Sequence, residues 1–170
     1  MNVLKPIYYL LFILLAFPFL TMTAQNRTSV SIKAQATVVD NSNIELLTIK
    51  NMDIDARQAV DGKIYVSAQR DASAAQMLIK GKANAKFRVT FSPVVEITNT
   101  TGTGTLSLHY EVYGYRADNQ GASEPIDAAE RTLQISNDSK YYFWIGGHID
   151  ITNARPGNYD GEFTIEIEYV

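Results

Sequence analysis

Alternation with a period of two runs through nearly every segment of this chain beyond its first two dozen residues, and it confines the fold to sheets. The closing stretch, "GNYDGEFTIEIEYV" (157–170), is the cleanest case. Successive strand side chains point to opposite faces, so Phe163, Ile165, Ile167 and Tyr169 share one face while Glu162, Thr164, Glu166 and Glu168 share the other. Such a strand needs an apolar surface on one side and water on the other. The same striping recurs in Val30, Ile32, Ala34, Ala36 and Val38, in Ile64, Val66 and Ala68, and in Ala75, Met77 and Ile79. It continues in Phe87, Val89 and Phe91, which stop at Pro93, and in Leu106, Leu108, Tyr110 and Val112. Ile44 to Ile54 is a broken apolar run. From Tyr141 to Ile151 one register persists through Gly146 and Gly147, a pair that signals a bulge or a close backbone approach. Only Glu124 to Arg131 carries a weak helical signal. The pattern predicts an all-β domain, an antiparallel immunoglobulin-like or pilin-like β-sandwich of about eight to ten strands.

The first residues have a different character. Lys5 precedes an almost wholly apolar stretch from Ile7 to Leu20, and Thr21, Thr23 and Ala24 follow before Gln25. This reads as a cleaved secretory signal peptide over residues 1–24, with one domain over 25–170. A membrane anchor is the other reading, but Pro6 and Pro18 leave a short clean run for a span of about 20 apolar residues. The chain has no cysteine, so its stability rests on burial and hydrogen bonding without disulfides. Its net charge of −3, with no cluster of Lys or Arg, argues against a nucleic-acid surface. The expected location is the periplasm, the cell surface or the medium.

Residues suited to catalysis are sparse. His109 and His148 are the only histidines, no serine motif or ordered carboxylate accompanies either, and two are too few for a histidine-rich metal site. Asp53 and Asp55 form an Asp-x-Asp pair without the glycine and distal glutamate of a calcium loop, so a solvated strand end is the plainer reading. Glu162, Glu166 and Glu168 make a like-charged face that discourages promiscuous pairing, and a glycosidase pair of carboxylates has no positive support. No catalytic residue, metal ligand or cofactor is expected. Aromatic residues give a better lead: Tyr142 and Trp144 fall opposite Tyr141 and Phe143, and Tyr113 and Tyr115 fall opposite Tyr110 and Val112. If displayed outward, these four rings would stack on sugars or fill a partner's groove; the other reading is a second packed layer beneath loops. Asn26, Asn99 and Asn137 head Asn-x-Ser/Thr sequences, which matter only in a glycosylating host.

The combination "WIGGHIDI" followed by "GNYDGEFTIEIEY" resembles the closing block of the bacterial domain-of-unknown-function family 4402, with "ATVVDNSNIELLTIKNMDI" and "AKFRVTFSP" placed where that family carries its first strands. The resemblance implies an exported β-sandwich similar to pilus and spore-coat subunits. The terminal strand is also similar to that of chaperone-usher pilins, which have a penultimate tyrosine, alternating apolar residues and a glycine fourteen from the end. Tyr169, Ile167, Ile165, Phe163 and Gly157 match those positions. That likeness implies a groove, walled by Phe163, Ile165, Ile167 and Tyr169 with Gly157 and Gly161 at the turn and close approach, into which another chain inserts a strand. Val30, Ile32, Ala34, Ala36 and Val38 would be the lent strand, or else an ordinary first strand of the same domain. The tendency of sequential strands to pair within a domain favours the second. Two departures from the pilin pattern stand out: the chain lacks a cysteine pair, and its N-terminal stripe contains no glycine.

The function expected is a non-enzymatic structural or adhesive surface protein, with a fimbria-like subunit assembling by strand complementation as its most specific form. Self-association, other surface subunits or a periplasmic chaperone would then be the partners. The alternative is a carbohydrate-binding module built on the exposed aromatics.

Overall fold

A computed structural model describes residues 28–38, 44–128 and 131–170, with side chains undescribed at 33–38. The leader read over residues 1–24 lies outside the described residues. The strands are β1 (Ser29–Val38), β2 (Glu45–Lys50), β3 (Met52–Asp55), β4 (Lys63–Val66), β5 (Ala75–Lys80), β6 (Lys86–Phe91) and β7 (Val94–Asn99). After them come β8 (Thr105–Tyr115), β9 (Glu124–Pro125), β10 (Arg131–Gln134), β11 (Lys140–Asp150) and β12 (Asn158–Tyr169). The only helical segments among the described residues are two three-residue 3₁₀ turns, at Ala56–Gln58 and Gln120–Ala122. The all-β expectation holds. The stretch from Glu124 to Arg131 holds β9 and the first residue of β10, and the short turn precedes it.

All twelve strands join one sheet along the path β10-β6-β12-β7-β8-β11-β5-β2, with β1 on β12 and β3, β4 on β11, and β9 on β8. Every pairing is antiparallel except one: β1 runs parallel to β12 over its whole length, from Ser29 opposite Asn158 to Val38 opposite Ile167. The sheet is therefore mixed. A parallel pair needs a long crossover connection, and here the rest of the chain supplies it.

The sheet curls over its own inner face and is nearly barrel-like. Phe87 on β6 meets Tyr141 and Phe143 on β11 with ring centroids 5.2 and 6.4 Å apart, although β6 and β11 are not hydrogen-bonded neighbours. Tyr110 on β8 likewise meets Phe163 on β12 at 4.6 Å. The inward parity of each strand fills the space between, with Ile32, Met52, Ile64, Met77, Ile97, Leu108 and Ile165 all fully buried. Gly146 and Gly147 mark a close approach of strands: a Cβ would lie 2.2 Å from the carbonyl oxygen of Val66 at the first and 2.2 Å from that of His109 at the second.

Burial along β12 follows the striping residue by residue, with Phe163, Ile165 and Ile167 buried and Glu162, Thr164, Glu166 and Glu168 exposed. Truncating Phe163 to Ala should cost about 3–5 kcal/mol by leaving a cavity. Glu166→Ala, one face away, should stay within about 0.5 kcal/mol. Urea unfolding of the two variants checks this, and similar midpoints would refute the assignment of faces.

Candidate functional site

The terminal strand and the N-terminal stripe meet residue for residue. In the parallel ladder Val30 stands opposite Tyr159, Ile32 opposite Gly161, Ala34 opposite Phe163, Ala36 opposite Ile165 and Val38 opposite Ile167. On its far side β1 pairs antiparallel with β3, Ser29 opposite Asp55 through Ile32 opposite Met52. β1 thus occupies a slot walled by β12 and β3, and β3 has no other strand partner among the described residues. Gly161 is where the wall thins: a Cβ there would sit 2.2 Å from Cγ2 of Ile97 and 3.3 Å from Cδ1 of Ile32. Gly157 opens the slot at φ +150°, and its carbonyl accepts from the Ser29 amide at 3.2 Å. The penultimate Tyr169 stands beside Phe87 on β6, and its hydroxyl accepts from the Lys82 amide at 3.0 Å, fastening the end of β12 to the loop after β5.

The four outward aromatics form a square. Tyr142 faces Tyr115 and Trp144 faces Tyr113 across the β11–β8 ladder, and the Tyr142 and Trp144 rings lie 6.0 Å apart and nearly parallel. Their common face is as expected, but their exposure is unequal. Tyr115 is exposed and Tyr142 and Tyr113 are half-buried, whereas Trp144 is only 3% exposed. Trp144 is therefore not displayed. It and Leu78 are buried outside the main core, in a thin second layer on the outer face. In register Trp144 lies between Tyr113 and Gln76, and the Gln76 amide donates to Asp118 at 2.7 Å. The loop carrying Asp118 is tied down further by Gln120, which donates to the carbonyls of Ala68 and Asp71 at 2.9 Å each.

The sequence of residues 54–169 matches the family model described as Domain of unknown function (DUF4402). The chain belongs to that family. No curated protein matches it. The DUF4402 segment takes in β4 to β12 and the end of β3, so "WIGGHIDI" and the whole of β12 fall inside it. Nearly all of "ATVVDNSNIELLTIKNMDI" precedes it, as does β1.

The other polar candidates of this DUF4402 chain are structural or solvated. Asp55 caps the first 3₁₀ turn, accepting from the Arg57 amide at 2.9 Å and pairing with the Arg57 guanidinium, and Asp53 accepts from Ser31 at 3.3 Å. Asn99 is buried, and its side-chain oxygen accepts from the amide and hydroxyl of Thr101 at 2.9 and 3.1 Å, so in the folded chain it shapes the turn after β7. Asn137 is exposed, and Asn26 lies outside the described residues. Among the described residues no three His, Asp or Glu side chains converge on a metal-sized space. No described helix is long and apolar enough to cross a membrane, which leaves strands untested.

One arrangement was invisible to sequence reasoning. His109 and His148, 39 positions apart by their numbers, are direct cross-strand partners with rings stacked at 4.7 Å. Treating each as a lone residue missed this, because only the β8–β11 register places them together.

Two phenols bear on stability. Burial pushes Tyr141 up to about 12 and raises Tyr110 as well, and the Tyr110 hydroxyl has no hydrogen-bond partner among the described residues. Both fold with their protons on, while the unfolded chain sheds them near pH 10. Stability is therefore full below pH 10 and falls as pH rises toward 12, by up to about 1.4 kcal/mol per pH unit for each tyrosine. Tyr110→Phe should reduce that slope by about half and, by removing an unpaired buried hydroxyl, leave stability at pH 7 unchanged or higher. Urea midpoints between pH 8 and 11 test both statements.

Proposed function

We propose that this chain is an exported, non-enzymatic surface module with a structural or adhesive role, in which β1 is a strand that can be lent to a neighbouring copy. In the structure β1 closes its own sheet, as an ordinary first strand of the same domain does, and it is the form of the slot it fills that supports lending. β1 lies between a parallel wall, β12, and an antiparallel one, β3, so its withdrawal leaves two raw strand edges that must be refilled. A neighbour's β1 would make the same backbone bonds and bury the same residues as the chain's own, so exchange costs little beyond the entropy of association. Before assembly the same slot suits a chaperone's extended segment.

The register supplies a test free of background thiols, since the chain has no cysteine. Ser31 and Asp160 are paired across β1 and β12, and neighbouring backbones of a sheet suit disulfide geometry. Ser31→Cys with Asp160→Cys should, on oxidation, yield covalent multimers that run as a ladder and collapse with reductant. Bridged monomers alone, at every concentration, would withdraw strand lending and leave a self-complete module.

A second reading is favoured by the two directly opposed aromatic pairs on the outer face. A flat glycan would rest on Tyr115 and Tyr142, which are register partners and both reach solvent. Tyr115→Ala combined with Tyr142→Ala should reduce retention on a glycan array by at least tenfold without altering molecular size. Unchanged retention, or none in the parent chain, rejects it. Trp144 is a poor probe because truncating a buried indole damages the fold itself.

A further inference from the structure

We infer that His109 and His148 form a two-imidazole site for a late first-row divalent metal ion, Cu²⁺ or Ni²⁺ foremost. The two residues are register partners on β11 and β8, their rings are stacked 4.7 Å apart at an interplanar angle of 5°, and both are exposed. The backbones come together at this point: at the next residue, Gly147, a Cβ would lie 2.2 Å from the His109 carbonyl oxygen.

The surroundings leave the imidazoles free to act as ligands. Tyr65 and Val94 continue the same cross-strand row on either side, and both are well exposed. The Tyr65 hydroxyl donates to Glu111 at 2.8 Å, and Asp150 accepts from the Thr152 amide at 2.9 Å. Each of these carboxylates accepts a hydrogen bond from a group outside the pair, and both add negative charge to the strands that carry it. A groove of about 600 Å³ runs over the rings and leaves room for water or an outside ligand.

Metal–imidazole bonds of about 2.0–2.1 Å place two cis nitrogens of a tetragonal Cu²⁺ or Ni²⁺ ion about 2.9 Å apart. Imidazoles bind an ion in the plane of the ring, so from the stacked arrangement, with centroids 4.7 Å apart, both side chains turn their nitrogens toward a common point, which their exposure allows. Nitrogen ligands without a carboxylate cage select late transition metals over Ca²⁺ and Mg²⁺, with Cu²⁺ held most tightly and Ni²⁺ next. With no third described His, Asp or Glu converging on the ion, the remaining coordination positions stay open.

The experiment is calorimetric titration of the tag-free chain with CuSO₄ and with NiCl₂. One ion per chain is expected, with His109→Ala and His148→Ala each lowering affinity at least tenfold and the double variant binding no more tightly than either single one. Electron paramagnetic resonance of the Cu²⁺ form should show splitting from two nitrogens. Lys63→Ala, in the same groove, should bind as the parent does, and the melting temperatures of all variants should agree because the exchanged side chains lie on the surface. Binding that survives either histidine substitution, or that depends on one histidine alone, overturns the inference.

Discussion

β12 is hydrogen-bonded on both flanks. β1 runs beside it in parallel, and on the other side it pairs with β7 near its start and with β6 near its end. Because β6 and β7 belong to different parts of the path, this single strand carries the sheet from one wall of the core to the other. Its buried row, Tyr159, Phe163, Ile165 and Ile167, lies where those walls converge, and Phe163 touches both Phe91 and Tyr110. A fully buried residue of this kind contributes about 1.5–3 kcal/mol, so the row is a large part of what holds a disulfide-free domain together. Without β12 the sheet would fall into three pieces with exposed edges: β6 with β10, β1 with β3, and the run from β7 to β2.

That position links architecture to the functional reading. A strand paired on both sides cannot itself recruit a partner through its backbone, and its acidic outer face does not invite one. On the proposed reading the element to be lent is its neighbour β1, which is held by ladder bonds to β12 and β3 and by the burial of Val30 and Ile32. The remaining features that point outward, the aromatic square and the histidine pair, both sit on the β8–β11 ladder. That ladder is flanked by further strands on each side.

Much of this was legible from residue order alone. Period-two striping located most of the strands because it follows from backbone geometry and needs no tertiary information. It missed β7 and β10. In β7 the striping of Val95 and Ile97 merges into a Thr-rich stretch, and β10 has one buried residue, Leu133. It also placed Tyr142, Trp144, Tyr113 and Tyr115 on one face correctly, yet could not tell that Trp144 lies beneath its neighbours. Parity gives a direction, whereas burial depends on what the loop around Asp118 does overhead.

The sequence by itself determined the class of fold, the two faces of the strands whose striping is clear and the close approach at Gly146 and Gly147. Those follow from local sterics and from the separation of apolar and charged residues. Which strands are neighbours, in what direction and in what register, was decided only by the tertiary structure. Striping is the same read forward or backward, so it carried no sign that β1 runs parallel to β12, or that two histidines far apart along the chain share one rung. Those facts depend on how the whole sheet closes around its core, a condition no single segment contains.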